Sequence, residues 1–264
     1  MTLLNKAAAR CGLVLVALAA AAPAAATLST QSWNGYHWAH TGNLAIMVGN
    51  NASAKWAPYL ANAETTWSAD KYIDFLPTAG MTSATGCAGV YGTIQICSAN
   101  YGATGWSGWT TVYTSGTSIY QATIKLNDYY FNQAKYNTAA YFQQVICQEL
   151  GNSLGLQDSD HNFGNLNTGS CMDYTNDPAG TLGTNGTLAN TAPSLSDVTN
   201  LDGIYSVLDK TQLVFTMPKT STNAQAAGSV PEPGSWSMML VGSGALGLAM
   251  RRGRKANLAP ALAR

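Results

Sequence analysis

The segment VICQELGNSLGLQD places polar side chains at the spacing of a helical catalytic site. Residues four apart lie on one face of an α-helix, so Gln148 and Asn152 would point the same way, with Glu149 beside them. Gly155 would let the chain turn sharply, so that Asp158 returns to the same place. Three donor side chains beside a glutamate are typical of metal-dependent hydrolysis, in which the glutamate deprotonates a metal-bound water.

The donor types in this segment disfavour a tight zinc site. Zinc prefers imidazole, thiolate and carboxylate ligands, and amide oxygens bind it poorly. Gln148 and Asn152 offer only amides, whereas Asp158 is a credible ligand. Without a metal, Glu149 would have no bound water to deprotonate.

An oxygen-rich Ca2+ site is an alternative for the residues that follow. Asp158, Asp160 and His161 could together form a small site better suited to Ca2+ than to Zn2+, although a polar surface loop explains them equally. His37 and His40 lie three residues apart in an extended segment, where their side chains would point to opposite faces. We therefore expect these two histidines to be sheet and surface residues.

The elements that would position the site follow from apolar periodicity. The helix with Glu149 is predicted to begin at Asn137 or Thr138 and to end at Gly155. Further helices are predicted in SAKWAPYLANAETTWSAD and SLSDVTNLDGIYSVLD. Extended segments are predicted in YHWAHTGNLAIMVGNN, YIDFLPT, GTIQICSA and SIYQATIKLNDYYF, the last as an exposed or edge strand. Residues 157–194 are expected to be loop, so the order suits a small α+β domain with a mixed sheet.

The first 26 residues have the layout of a secretory signal peptide. Lys6 and Arg10 precede an apolar run, and small residues follow, with cleavage expected after Ala24 or Ala26. Signal peptidase is therefore an expected processing partner. A signal anchor that stays uncut is the alternative.

The C-terminal end carries a tripeptide, an apolar run and a basic cluster. Pro231, Glu232 and Pro233 precede residues 234–250, whose length is near the lower limit for crossing a bilayer. The basic cluster at residues 251–255 would stay in the cytoplasm.

This order resembles the PEP-CTERM sorting signal of Gram-negative bacteria, here residues 231–256, followed by a cytoplasmic tail at 257–264. The resemblance implies export to the cell envelope or beyond, transient anchoring in the inner membrane, and processing by an exosortase. A plain C-terminal anchor is the alternative. In both cases the domain faces outward and meets the membrane only through its C-terminal segment.

Residues 27–218 form one domain's worth of chain, and residues 219–230 are expected to be a flexible linker. Every arginine lies in the leader or the tail, and residues 27–230 contain six lysines and twelve acidic residues. A mildly acidic domain without arginine argues against a nucleic-acid partner.

The four cysteines of the exported part indicate two disulfides, for which spacing alone leaves three pairings. We favour Cys87–Cys97, which would close a short loop, and Cys147–Cys171, which would join the helix to the following loop. A zinc site built from all four is disfavoured, because the sequence has no CxxC spacing.

The loop after the helix contains GSCMDYTNDP, in which Met172 precedes Tyr174 by two residues. Together with the helix, this segment resembles the metzincins, whose motif HExxHxxGxxH is followed by a methionine turn. It is most similar to secreted microbial metzincin-like proteins with QExGHxxGLxH and CMDYTNDP. In this resemblance Glu149 takes the place of the catalytic glutamate, and Met172 that of the methionine under the metal. Tyr174 matches a tyrosine that lends zinc an extra oxygen in some metzincins.

The resemblance implies a zincin fold, with a mixed sheet over an active-site helix, a loop-rich C-terminal part with the methionine turn, and a final helix. The departures concern the metal, because Gln148, Asn152 and Asp158 stand at the three ligand positions. We therefore expect an envelope-sorted domain without a metal cofactor that binds a peptide or polysaccharide. The alternatives are an active zinc metalloendopeptidase, with Glu149 as general base, and a structural extracellular-matrix protein.

Overall fold

The computed structural model describes residues 32–209 and the backbone of residues 224–231. The strands are β1 His37–Trp38, β2 Leu44–Asn51, β3 Ile73–Ala79, β4 Thr93–Ala99, β5 Trp106–Ser115, β6 Ser118–Asn127 and β7 Ala224–Pro231. The helices are α1 Ala57–Trp67, which follows a 3-10 turn at Ala54–Trp56, α2 Asp128–Phe131, α3 Ala139–Ser153 and α4 Leu195–Tyr205.

The strands form one mixed sheet in the order β3-β2-β4-β6-β5-β7, with β1 paired to the start of β6. Strands β1, β2, β3, β4 and β6 run parallel, whereas β5 is antiparallel to both of its neighbours. Helix α3 packs against β5, β6 and α1. The predicted fold, a mixed sheet with an active-site helix packed on it, is thereby confirmed.

The core on the helical side is built from the apolar stripe that the sequence predicts for α1. Leu60, Ala63 and Trp67 are buried, together with Trp56 from the preceding turn. The Trp67 Nε1–H donates to the Cys147 carbonyl oxygen at 2.9 Å, which ties α1 to α3. Burial of these large side chains fixes the position of α3 relative to its neighbour.

Helix α3 begins and ends where local sequence signals predict. The Thr138 side chain caps the helix by accepting a hydrogen bond from the Tyr141 N–H at 3.3 Å. At the other end, Gly155 has φ +93°, and the Leu156 N–H donates to the Gly151 carbonyl at 3.2 Å. A side chain on Gly155 would also collide with the Tyr36 carbonyl oxygen. Glycine is therefore needed for both backbone conformation and space.

Strand β6 lies inside the sheet, so its prediction as an exposed or edge strand is wrong. It pairs with β4 on one side and with β5 on the other. Helix α3 packs against this strand. The Cys87 sulfur lies 3.5 Å from the carbonyl oxygen of Ile124, which is also in β6. Strand β5 was not predicted, because WSGWTTVYTS has few aliphatic residues and a glycine.

Both favoured disulfides are formed. Cys87 and Cys97 have Cα atoms 5.8 Å apart, and those of Cys147 and Cys171 are 5.9 Å apart. None of these four sulfurs is left as a thiolate for a metal site, so the alternative of a four-cysteine zinc centre is wrong. The second disulfide joins α3 to the loop that carries Met172.

The C-terminal segment differs from the expected flexible linker. Residues 224–231 pair with β5 as strand β7, because the open edge of β5 offers backbone groups to an extended segment. The predicted signal peptide, the apolar run at 234–250 and the tail at 257–264 lie outside the described residues. In the parts of the chain that are described, no helix is both long enough and apolar enough to cross a membrane.

We predict that Gly155→Ala destabilises the domain by about 3 kcal/mol or more, the upper range for point substitutions. The matched control is Gly92→Ala. Gly92 also has positive φ, at +74°, but has no heavy atom within 4 Å of the added methyl group. Its cost should be about 1–2 kcal/mol, the cost of left-handed backbone alone. Urea unfolding under non-reducing conditions measures both values, and equal losses would contradict the steric argument.

Candidate functional site

The four predicted ligand positions meet around one carboxylate, that of Asp158. Its Oδ1 accepts hydrogen bonds from Gln148 Nε2 at 2.8 Å and from Asn152 Nδ2 at 3.3 Å. Its Oδ2 accepts one from the Tyr174 hydroxyl at 3.2 Å. All four residues are at most 7% exposed. Asp158 is therefore the centre of the cluster, where the resemblance placed a metal.

The two amides present hydrogens, not lone pairs, to the centre of the site. Gln148 donates to Asp158, and its Oε1 in turn accepts from Gln144 Nε2 at 3.0 Å. Gln144 was not predicted as a site residue, although its position one turn before Gln148 on the same helical face could have indicated it. Turning the Gln148 amide would place its oxygen against a carboxylate and its NH2 group against that of Gln144.

His161 joins the edge of the cluster. Its Nε2 lies 3.6 Å from Asp158 Oδ2, and this interaction raises the pKa of the imidazole. Asp160 instead accepts from the Asn162 N–H at 2.9 Å and from the Asn165 side chain. The predicted Ca2+ site is therefore not assembled, and no three His, Cys, Asp or Glu side chains of the described chain are grouped to hold a metal.

His37 and His40 lie away from this cluster and share Asp209. The His37 Nε2 lies 3.4 Å from Asp209 Oδ1, and the His40 backbone N–H donates to Asp209 Oδ2 at 2.9 Å. His37 belongs to the sheet, as expected. His40 is only 6% exposed, so its prediction as a surface residue is wrong. The difference arises because its ring packs against Tyr205.

Glu149 is fully buried and faces strand β5. The oxygens Glu149 Oε2 and Thr110 Oγ1 are 2.5 Å apart, and Thr110 Oγ1 also donates to the Glu149 carbonyl at 3.0 Å. A Cβ on Gly108 would collide with the Glu149 carboxyl group, so the glycine leaves room for it. Among the described residues, Glu149 Oε1 has no hydrogen-bond partner.

Burial raises the pKa of Glu149 well above its ordinary value, and the nearby Asp158 charge adds to the effect. The Thr110 hydroxyl lies within donating distance of both Glu149 Oε2 and the Glu149 carbonyl oxygen, and its bond to Oε2 opposes the shift by favouring the charged form. The raised pKa disfavours the ionised form, which is the form that a general base requires.

Met172 packs directly beneath α3, as the predicted methionine turn requires. It is 1% exposed, and a Cβ on Gly151 would lie 2.5 Å from its sulfur and 2.8 Å from Trp67. The Ser159 N–H donates to the Met172 carbonyl at 2.8 Å, which holds the segment after Asp158 against the turn. Gly151 thus allows the turn to approach the helix closely.

The loop around the methionine turn is held by buried carboxylates. Asp173 Oδ2 accepts from the Thr168 N–H at 2.8 Å and from Asn190 Nδ2 at 2.9 Å. Asp197 accepts from the Ser170 hydroxyl at 2.6 Å. Asp173 lies in the polar segment predicted as loop, whereas Asp197 lies in the first turn of α4, and both stabilise this region by satisfying buried donors.

A protein-family model for the PEP-CTERM protein-sorting motif matches residues 229–255. The chain carries a PEP-CTERM sorting signal. This confirms the resemblance based on residues 231–256, and it implies export and sorting to the cell envelope with transient membrane anchoring. Exosortase as a processing partner is consistent with this signal.

Two solved structures are similar to the chain over most of their own length. Myroilysin matches with 14% identity and a TM-score of 0.38, covering 66% of this chain and 97% of its own. High choriolytic enzyme 1, a hatching enzyme zinc-protease from the medaka fish Oryzias latipes, matches with 15% identity and a TM-score of 0.37, covering 65% and 94%. No curated protein matches the sequence.

We predict that the native domain loses stability as pH rises and that the Glu149→Gln variant does not show this loss. Because the pKa of Glu149 is higher in the folded state than in the unfolded chain, the unfolded chain releases this proton first, above pH of about 4.3. Above that pH, the free energy of unfolding should therefore fall by about 1.4 kcal/mol per pH unit relative to the variant, until the folded group ionises. Urea unfolding of both proteins between pH 4 and 8 measures this difference. Parallel stability profiles would show that Glu149 is charged in the fold.

Proposed function

We propose that this exported, envelope-sorted protein is a non-catalytic domain that binds an extended peptide along β5, above α3. The observation that carries the loss of catalysis is the position of Asp158. Gln148, Asn152 and Tyr174 are joined to it by hydrogen bonds, so they are not free to hold a cation.

The donor set does not fit the zinc ion of metzincin peptidases. A metal at this centre would require both amides to turn their oxygens inward, and Gln148 would lose its bond to Gln144. Each buried polar group left unpaired costs about 1–3 kcal/mol, and amide oxygens return little binding energy to zinc. Burial also raises the pKa of Glu149, which disfavours the ionised form that a general base requires.

Peptide binding is supported by the way β5 uses its outer edge. This edge pairs antiparallel with the chain's own residues 224–231, with two irregularities in register. The paired segment AQAAGSVP consists largely of small residues with weak strand propensity. A peptide with larger side chains could replace it, since edge pairing supplies backbone hydrogen bonds and the neighbouring side chains supply specificity.

Half-buried aromatic rings at the start of β5 would add apolar contacts to such a peptide. The Trp106 and Trp109 ring centroids are 6.0 Å apart, and those of Tyr101 and Trp106 are 5.5 Å apart. Aromatic side chains of this kind contribute large contact areas at binding surfaces.

We predict that the exported protein binds zinc no more tightly than about 1 μM, or roughly −8 kcal/mol. A variant combining Gln148→His, Asn152→His and Asp158→His should bind zinc at least a hundredfold more tightly, because it restores three imidazoles on the same scaffold. Gln148→His alone is the matched control, since it supplies one imidazole. Calorimetric titration with circular dichroism as a folding check measures all three. One equivalent of zinc retained by the native protein would refute the proposal.

We further predict that weakening β7 increases peptide affinity by about tenfold. Ala226→Pro with Ala227→Pro removes a β5-facing N–H whichever of the two residues donates, so the edge becomes available. The same pair of substitutions at Ser221 and Thr222, ahead of β7, is the control. Fluorescence anisotropy with a labelled random-peptide library measures affinity. Unchanged binding in the β7 variant would place the peptide elsewhere, whereas binding of polysaccharide alone would reject a peptide ligand.

A further inference from the structure

Another buried acidic residue lies outside the Asp158 cluster, on the inward stripe of α1. Glu64 lies one turn after Leu60 and three residues before Trp67, both of which are core residues. It is 7% exposed, although its place on the helix would suit an apolar side chain. This buried carboxyl group has no role in the site around α3.

Glu64 lines two adjoining cavities between α1 and β3, with volumes of about 390 and 470 Å³. Both cavities are also lined by Ala61 and Pro77, and the larger one by the exposed Asp74. No lysine, arginine or histidine is among the described residues that line them. The groove therefore contains negative charge without a counter-ion from the domain.

The Glu64 carboxyl group makes no hydrogen bond or ion pair with any described residue. The lysines that could be considered as partners are engaged elsewhere: Lys55 pairs with Asp128 at 2.9 Å, and Lys71 with Asp202 at 3.1 Å. Burial alone raises the pKa of Glu64 to about 7. Ionising a carboxyl group in such a position is costly, and a cation beside it would reduce that cost.

The adjacent sheet edge cannot add a peptide strand. The Phe75 N–H donates to the Ser68 side-chain oxygen at 3.0 Å, and the Ile73 N–H to the Asp70 carbonyl at 3.4 Å. Pro77, next on this edge, has no N–H. The groove is therefore suited to a single inserted side chain and not to an extended backbone.

We propose that the groove between α1 and β3 binds an aliphatic primary ammonium group, of the kind carried by a lysine side chain, with Glu64 as its counter-ion. The methylene stem would lie against Leu60, Ala61 and Pro77, while the ammonium group reaches the carboxylate. The exposed Asp74 adds attraction for a positive charge at the larger cavity. A hydrated divalent metal is a poorer fit, because Leu60, Ala61 and Pro77 offer it no ligands, whereas they suit a methylene stem.

The probe for this site is Nα-acetyl-lysine-N-methylamide, titrated into the full chain by isothermal calorimetry. At pH 8 it should bind saturably, and at pH 5.5 at least tenfold more weakly, because Glu64 is then protonated while the probe keeps its charge. Asp74 is the other titratable group that lines the groove, so Asp74→Asn serves as a control that should retain most of the binding and its pH dependence. The norleucine analogue, which lacks the ammonium group, should not bind.

Glu64→Gln preserves the shape of the side chain and should abolish binding of the probe. Equal binding to this variant, equal binding of the norleucine analogue, or no saturation of the native protein at about 20 mM would each overturn the proposal. Should the variant not fold, the carboxyl 13C resonance of native Glu64 decides. Its titration midpoint should fall by one pH unit or more with the probe present, and an unchanged midpoint would also overturn the proposal.

The lysine-binding experiment does not depend on the proposed peptide site at the edge of β5. The zinc-site and β7 variants alter residues outside the α1–β3 groove, so either proposal can fail without affecting the other.

Polyamines share the ammonium chemistry of lysine. Binding of 1,5-diaminopentane in preference to the capped amino acid would replace the lysine side chain as the ligand and so overturn that assignment.

Discussion

The hydrogen bonds to the Asp158 carboxylate are the interaction on which the rest of the site depends. A buried negative charge is expensive unless donors surround it, and here two amide groups of α3 and the Tyr174 hydroxyl do so. The metal of a peptidase site is a positive charge surrounded by lone pairs. The cluster described here has the reverse polarity, a carboxylate surrounded by hydrogens. These hydrogen bonds hold Gln148, Asn152 and Tyr174 in place around Asp158.

The reversed polarity also affects Glu149. In a metallopeptidase the metal-bound water and the metal's charge would help to keep a glutamate ionised. Here the neighbouring charge is the carboxylate of Asp158, and the surroundings are apolar, so the neutral acid is favoured. Gly108 and Thr110 on β5 accommodate it, as a packed polar group that links the helix to the sheet. Glu149, although glutamate is a common catalytic residue, is thus part of the buried core.

Local signals predicted α3 well, because a cap at Thr138, a glycine at Gly155 and apolar periodicity all act within a few residues. The disulfide pairs were also predictable, since one closes a short loop and the other follows from the order of helix and turn. The state of Glu149 was not, because it depends on Thr110, which lies 39 residues earlier in the chain. Strand β5 and the interior position of β6 depend in the same way on pairing between distant segments. The burial of Glu64 was not predicted, because the apolar stripe of α1 was defined by its apolar residues and does not show that a charged residue shares the buried face.

The two edges of the sheet differ in how they expose backbone groups. An open strand edge is a template for joining one copy of a protein to the next. On one side, Ser68 and Asp70 engage N–H groups of β3 and Pro77 has none, whereas on the other side β7 pairs with β5 and itself becomes the edge strand. Donors of β3 are thus used within the domain, and the opposite edge is moved from β5 to a segment of small residues. That segment ends at Pro231, the first residue of the sorting tripeptide, so the same eight residues form a strand of the sheet and lead directly into the sorting signal.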